Sequence, residues 1–303
     1  MKILVLGAEG MLGSTVLEYL QKSGLDTYGT SRNASLDNKY NLLFNAMSKE
    51  SLNKIDFSNY DYVINCIGII KPRINENDIL SIQKAYKINA IFPWILSKHL
   101  ESSGTRIIQI ATDCVYDGQN GGYDENSKFS PIDHYGSSKL FGEVTADNVK
   151  HLRCSIIGPE KKDYLSLFEW FNRLPRKSVI QGYLNHKWNG LTTLGYAKII
   201  KSIVHNNAFE SLPAITHVIP STIVNKYELL EIFKLHLNRD DLKVEPIEAK
   251  ISVDRTLSTV HEDINSQLWA QSDYNGVQTI DNMVNEMISS LKTPRDSNSQ
   301  IDI

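Results

Sequence analysis

Cysteine is scarce in this chain, and long apolar runs are missing. Its three cysteines, Cys66, Cys114 and Cys154, stand far apart in 303 residues and form no Cys-x-x-Cys pair. That spacing excludes a disulfide framework and offers no zinc-ligand pattern, so no metal is expected and a reducing, cytoplasmic setting is the default. No apolar stretch approaches the roughly 18 residues needed to cross a bilayer. The opening run Ile3–Leu6 is too short for a signal peptide and stops at Gly7. Charge of one sign is lacking too: a net charge of -3 points no strong field at nucleic acid or at an anionic membrane. Hydrophobic residues at 41% and charged residues at 22% are what a soluble globular protein carries. The length suits one large domain, or one domain with a smaller appendage. No internal repeat is visible.

Short apolar runs alternate with helical patterns through the first half. Ile3–Leu6 reads as a buried strand, followed by a glycine turn and a helix closed by Gly24. Further strands are expected at 27–31, 40–44, 62–67, 107–111 and 152–157, with helices near 46–55, 79–102 and 134–148. Apolar strands alternating with helices predict an α/β fold, a doubly wound parallel sheet covered on both faces. After Gly158 the rhythm changes to an aromatic and basic stretch, 159–190, then helical patterns near 192–206 and 225–237 around a strand at 217–219. The expected organisation is a cofactor domain at 1–158 and a smaller interleaved substrate lobe at 159–292. That lobe returns to the first domain around 188–220, and a polar tail follows at 293–303.

Gly7, Gly10 and Gly13 form G-x-x-G-x-x-G between the first strand and the first helix. Glycines let the backbone turn tightly and approach a pyrophosphate, and a helix N-terminus offers N–H groups and a positive dipole to hold it. About 20 residues on, where an acid would meet a free ribose 2′-hydroxyl, the chain has Thr30-Ser31-Arg32-Asn33. A carboxylate would repel a 2′-phosphate, whereas a guanidinium fork matches it, so NADP(H) is favoured over NAD.

Tyr135 and Lys139 stand four apart, on one face of a predicted helix, and Thr112 directly follows the buried strand that ends at Ala111. Ligands of such sheets bind at the carboxyl ends of strands, which puts Thr112 at the crevice. Reducing a ketone with hydride leaves an oxygen that must receive a proton as its charge develops. A tyrosine can supply that proton if a nearby ammonium eases its ionisation, and a hydroxyl can orient the carbonyl beside it. A second Tyr-x-x-x-Lys, Tyr183 to Lys187, has no such strand end before it and reads as coincidence. In the second lobe, Trp188 is a candidate to stack on a base or sugar.

These pieces together resemble the extended short-chain dehydrogenase/reductases, and within them the dTDP-4-dehydrorhamnose reductase-like sugar-nucleotide reductases. The matching segments are Gly7 to Gly13, Asn65-Cys66-Ile67-Gly68, Ala111 to Gly118, Tyr135 to Glu143 and Arg153 to Pro159. The resemblance spans most of 1–290 and is strongest before 160. It implies Tyr135 as proton donor, Lys139 gripping the nicotinamide ribose and tuning Tyr135, and Thr112 positioning the substrate. It implies further cofactor contacts at Gly7, Gly10, Met11, Leu12, Gly13, Ser31, Arg32, Asn45, Cys66, Ile67, Gly68, Asn89, Ser155 and Ile156. Candidate substrate residues are Cys114, Tyr116, His186, Trp188, Asn189 and Arg255, the last facing a substrate diphosphate.

The implied reaction is NADPH-dependent reduction of the 4-keto group of a nucleotide-activated 6-deoxy sugar, for surface-polysaccharide precursors. The partner is a nucleotide-diphosphate sugar, and a homodimer is left open. Dehydratases resembling this scaffold carry Thr-Asp-Glu, and Cys114 takes the place of that Glu. An epimerase-reductase like the GDP-fucose synthases would pair Cys114 with a histidine such as His186. A non-catalytic NADP-binding regulatory subunit is the reading from another class.

Overall fold

The computed structural model describes residues 1–32 and 41–292. Asn33, the Tyr40 start of the third strand and the 293–303 tail lie outside the described residues. In the first half, β1 (Lys2–Leu6), α1 (Met11–Lys22), β2 (Asp26–Ser31), β3 (Asn41–Leu43), α2 (Lys49–Asn53) and β4 (Tyr62–Asn65) come first. Next come α3 (Ile79–Tyr86), a π-turn at Lys87–Ile91, α4 (Phe92–Leu100), β5 (Arg106–Ala111), α5 (His134–Phe141) and β6 (Val149–Arg153). The rest comprises β7 (Ile156–Ile157), α6 (Leu167–Asn172), β8 (Val179–Tyr183), β9 (His186–Trp188), β10 (Leu191–Thr192), α7 (Thr193–His205) and β11 (Ile215–His217). It ends with β12 (Val224–Asn225), α8 (Lys226–His236), β13 (Lys243–Ile247), β14 (Val253–Asp254), α9 (Glu262–Ala270) and α10 (Ile280–Lys292).

Seven strands form one sheet in the order β11-β6-β5-β4-β1-β2-β3, every pair parallel. This is the doubly wound arrangement the alternation predicted, with its reversal of strand order between β1 and β4. Period-two geometry sorts the side chains of β1 between two cores. Ile3 and Val5 join Val16 and Leu20 of α1 and Ala197, Ile200 and Ile203 of α7. Leu4 and Leu6 join Phe44, Leu52, Phe92, Leu96 and Leu100 on the other face. Both faces are therefore dry, as fully apolar strands require.

The second half builds a smaller lobe from short sheets, β8 with β13, β12-β9-β14, and β10 with β7. It is stitched to the main sheet by α7, which packs on α1, and by β11, which extends the sheet beside β6.

Several elements differ from their sequence outline. The run 152–157 is two strands: β6 ends at Arg153, and Ile156–Ile157 leaves the main sheet to pair with β10. The 79–102 helix is interrupted by the π-turn, which carries Asn89. The 134–148 helix stops at Phe141, with Gly142 as its C-cap so close to Asn89 that a Cβ there would sit 1.9 Å from the carbonyl oxygen. The 217–219 strand begins two residues early, with Thr216 and His217 buried against β6. The second Tyr-x-x-x-Lys is not helical: Tyr183 ends β8, while Lys187 lies in β9 and pairs with Asp254 at 3.0 Å.

A buried polar chain ties the lobe to the sheet. Arg153, fully buried, donates Nη1 to the Tyr116 hydroxyl (3.0 Å) and to His217 Nε2 (2.9 Å). His217 Nδ1 lies 2.7 Å from the Ser258 carbonyl, which only accepts, so the ring is the neutral Nδ1–H tautomer. Glu125 takes the His217 N–H on Oε1 (2.9 Å), the Thr259 hydroxyl on the same oxygen (2.7 Å) and the Val260 N–H on Oε2 (2.9 Å). Burial, then the Arg153 charge, push His217 down to about 4. A histidine held neutral in the fold but protonated near 6.5 in the unfolded chain stabilises the fold fully above that value. The contribution is lost as pH falls from about 6.5 towards 4, where the unfolded chain binds the extra proton. His217→Gln is expected to flatten the pH dependence of the unfolding free energy across that window by about one proton. Denaturant titrations at pH 4.5, 5.5 and 7 measure it, and an unchanged slope would remove His217 from the account.

Candidate active site

The site begins at the carboxyl ends of β1, β4 and β5. Gly7 donates its N–H to the Thr30 hydroxyl (3.0 Å), and Ala8 donates to the Thr30 carbonyl (3.1 Å), which fixes the glycine turn against the end of β2. Gly13 meets this turn from the helix side, where a Cβ would stand 2.2 Å from the Gly7 oxygen. The close approach leaves α1 starting directly at the turn. No side chain caps that helix, and its first turn contains no acid. The N–H groups of Met11, Leu12 and Gly13 at the start of α1 therefore have no side-chain cap, beside the positive end of the helix dipole. Arg32 is exposed immediately after β2, two residues past Thr30. Glu9, inside the turn, is paired with Lys162 at 3.2 Å.

The loop after β4 is held by buried amides. Asn65 accepts the Ile67 N–H (3.1 Å) and donates to Gln109 (2.7 Å), while Cys66 donates its N–H to the Leu6 carbonyl (3.1 Å). Asn89 binds both polar groups of Ile69, accepting its N–H at 2.8 Å and donating to its carbonyl at 2.9 Å. Its second amide hydrogen reaches the Ser138 hydroxyl of α5 (3.1 Å). Gly68 faces the same amide oxygen. Asn89 thus shapes the loop and anchors α5, and a π-turn, which inserts one extra residue, lets the helix aim it there.

Of the expected trio, Thr112 and Tyr135 lie close together, whereas the Lys139 ammonium points to the Ile110 carbonyl. Thr112 accepts the Cys114 N–H on Oγ1 (3.2 Å) and donates to Asp113 Oδ1 (3.2 Å). Tyr135 is half-buried, with its phenol near enough to Thr112 for that hydroxyl to pull its pKa down. The contact depends on Gly136, where a Cβ would lie 2.1 Å from the Cys114 oxygen, so the first turn of α5 rests directly on the 112–114 backbone. Asp133, which the sequence reading passed over, caps α5 through the Gly136 N–H (2.7 Å) and pairs with Lys71 at 2.8 Å. An Asp three residues ahead of the capped N–H was the available signal.

Burial pushes the Tyr135 phenol above its ordinary value; the nearby Asp113 and Asp133 charges add to the rise, and the Thr112 hydroxyl opposes it. The expected ammonium beside the phenol is turned elsewhere: Lys139, itself buried, donates Nζ to the Ile110 carbonyl (2.7 Å). Burial pushes that lysine down to about 8 against the pull of Glu143 and Cys66.

The remaining expected residues divide. Arg255 reaches the site from β14, donating to the carbonyls of Tyr116 (3.0 Å) and Asp117 (3.4 Å), and its charge acts on Asp113, Cys114 and Asp133. Cys114 is half-buried, its thiol pushed up to about 12 by burial and then by Asp113. Tyr116 and Asn189 belong to the scaffold instead. Tyr116 is fully buried, donates to the Asp124 carbonyl (2.9 Å) and stacks on Tyr123. Asn189 clamps Leu257 through its N–H (2.9 Å) and carbonyl (2.7 Å). His186 sits against Tyr183 and the Ile251 carbonyl, and among the described residues no hydrogen bond or ion pair joins it to Cys114. Trp188 is half-buried against the core. Ser155 gives its carbonyl to the Leu191 N–H (2.8 Å), and Ile156 pairs with β10. Asn45 uses its amide oxygen to accept the Met47 N–H (3.0 Å).

Gly136→Ala tests the backbone contact that brings Tyr135 to Thr112. The added methyl has only main chain to push against, so a loss of about 1–3 kcal/mol in unfolding free energy is expected. Chemical denaturation checks this, and an unaltered midpoint would mean α5 is not held there.

Comparison with known proteins agrees with this architecture. A Methionine adenosyltransferase 2 subunit beta from Danio rerio is 31% identical over 143 residues, covering 47% of this chain and 42% of that protein. A probable low-salt glycan biosynthesis reductase, Agl14, from Haloferax volcanii is 30% identical over 152 residues, 49% of this chain and 50% of the relative. The chain thus spans about half the length of the curated relatives it matches. The crystal structure of a dTDP-4-dehydrorhamnose reductase from Bacillus anthracis, solved in complex with NADP, superposes with a TM-score of 0.75. It is 18% identical, and the match covers 96% of this chain and all of that one. The family described as "RmlD substrate binding domain" matches residues 1–159, more than half of the sequence. The chain belongs to that family.

Proposed function

We propose that this chain reduces the 4-keto group of a nucleotide-activated 6-deoxy sugar with NADPH. The observation that carries the reading is the meeting of the Thr112 and Tyr135 oxygens at the carboxyl end of β5, alongside the glycine turn. In this reading residues 1–158 hold the cofactor and 159–292 supply the substrate side.

The residues present fit a phosphorylated dinucleotide. The uncapped, acid-free start of α1 suits a pyrophosphate, and Lys162 offsets the one carboxylate in the turn. Arg32, exposed at the end of β2, offers a guanidinium fork to a 2′-phosphate. When bound, the nicotinamide supplies the hydride. Thr112 holds the ketone oxygen by hydrogen bond, and Tyr135 delivers a proton to that oxygen as negative charge builds on it. Burial keeps the phenol protonated in the free protein, and giving up that proton requires a positive charge brought beside it. In this reading Lys139, which bonds the Ile110 carbonyl in the free protein, turns to bind the ribose when the cofactor is bound. Arg255, reaching over from the lobe, meets an anionic or carbonyl oxygen of the substrate.

Tyr135→Phe is expected to lower kcat by at least about 10²-fold while leaving NADPH affinity unchanged. NADPH oxidation with dTDP-, UDP- and GDP-linked 4-keto-6-deoxy sugars, together with fluorescence titration of the cofactor, measures both; a fully active variant would refute the assignment. Arg32→Ala should weaken NADPH by about 10- to 100-fold and leave NADH nearly as it was, since a charge-assisted hydrogen bond contributes about 1.5–3 kcal/mol. Equal losses for both cofactors would take Arg32 away from the 2′-phosphate.

The similarity to an adenosyltransferase β-subunit favours a second reading, an NADP-binding subunit without turnover of its own. Tight NADPH binding with no oxidation by any of these ketones is its signature. The epimerase-reductase reading has less behind it, because Cys114 has no link to His186 and its thiol is held protonated.

A further inference from the structure

The segment between β7 and α6 is a loop closed at its base and pinned at its tip. At the base, Ser166 donates its hydroxyl to the Gly158 carbonyl (3.0 Å) and its N–H to Glu160 Oε2 (2.8 Å). Glu160 in turn donates its N–H to Glu169 Oε1 on α6 (3.1 Å). The tip, Lys161-Lys162-Asp163, reaches three separate places through ion pairs. Lys161 pairs with Glu18 on the flank of α1, and Lys162 with Glu9 in the glycine turn at 3.2 Å. Asp163 pairs with Arg73 in the loop after β4. That loop is itself tied down, because Lys71 pairs with Asp133 at the start of α5 (2.8 Å). β1 and β4 are neighbours in the sheet, and the strand order reverses between them. A chain bonded to the turn after β1 and to the loop after β4 therefore crosses the crevice where such folds take a dinucleotide.

We propose that this loop is a strap across the dinucleotide groove, latched by the three ion pairs, and that it must open for the cofactor to enter or leave. This rests on reading the groove as a dinucleotide site. The latch is of a kind that parts easily. Every side chain in the three pairs is between 39% and 59% exposed, so water and salt compete for each charge. Residues 161–165 are all exposed, so opening the tip breaks no apolar core. Besides the pairs, the Arg173 guanidinium lies over the Tyr164 ring, another exposed contact. Asp163 and Tyr164 both hold left-handed backbone, with φ of 65° and 52°. Such a bend is strained for a tyrosine and relaxes once Asp163 leaves Arg73. The base behaves oppositely: it runs into α6, whose Phe168 and Phe171 are fully buried. Motion is therefore confined to the tip.

The test removes two pairs and measures exchange of the cofactor. Arg73→Gln with Glu18→Gln breaks the pairs on either side of the glycine turn. One positive and one negative charge are lost together, so the long-range pull on an anionic cofactor stays the same. Both side chains are about half exposed, which leaves the core intact. Stopped-flow fluorescence of NADPH then gives the association and release rates. Both are expected to rise by the same factor, about three- to tenfold, with Kd unchanged, because the pairs join protein to protein. The difference from wild type should vanish near 1 M salt, where charges are screened within about 3 Å. Unchanged rates overturn the proposal. Faster release with unaltered association also overturns it, since the tip would then be a ligand contact and not a gate. Trypsin cleavage after Lys161 and Lys162 reads the latch with no ligand present; it must quicken in the double variant, and an equal rate overturns the strap. If neither NADPH nor NADH binds, the cofactor reading fails, while the cleavage rate still decides whether the loop is latched.

Discussion

Two places where main chain touches main chain set the geometry on which everything else here depends. At Gly13 the first helix rests on the Gly7 carbonyl, and at Gly136 the fifth helix rests on that of Cys114. Any side chain would hold these helices off by the width of a methyl group. Without one, α1 begins against the glycine turn and α5 begins against the turn that follows β5. The first contact creates a bare helix N-terminus at the switch in strand order, and the second brings a phenol to a threonine hydroxyl. Parallel strands supply the alignment, because all of them end at the same edge of the sheet.

Behind that edge the protein buries charge, which is costly unless each group finds a partner. Arg153 is the hub, bonded to Glu143, Tyr116 and His217, and through His217 it reaches Ser258 in the second lobe. The same network therefore braces the lobe against the sheet. A pair bonded at both oxygens within a dry environment is rigid, which favours a fixed electrostatic setting over one that relaxes with solvent. Two histidines kept neutral by burial, His151 and His217, add no competing charge at neutral pH.

The surface over the glycine turn belongs to the segment between β7 and α6. Lys162 pairs with Glu9, Lys161 with Glu18, and Arg73 with Asp163, so that segment touches both the turn and the loop after β4. These pairs are exposed and individually weak. They orient the segment by charge while leaving the core untouched.

What the sequence determined alone was periodic or local. Apolar runs at 3–6, 62–67 and 107–111 read as too apolar to be half exposed and predict a sheet covered on both faces. The glycine spacing after the first strand and the Thr112, Tyr135 and Lys139 set could be read because strand ends and helix faces have fixed periods. Only the folded chain decided matters of distance. Tyr116 and Asn189 look available in the sequence, yet one is stacked in the core and the other clamps Leu257. Lys139 faces the Ile110 carbonyl, and the long helix pattern near 79–102 is broken by a π-turn that aims Asn89. The pairing of Glu143 with Arg153, and of Arg255 with the carbonyls after Thr112, joins residues on separate elements. No local pattern encodes such contacts, since they exist only once helix, strand and lobe have packed.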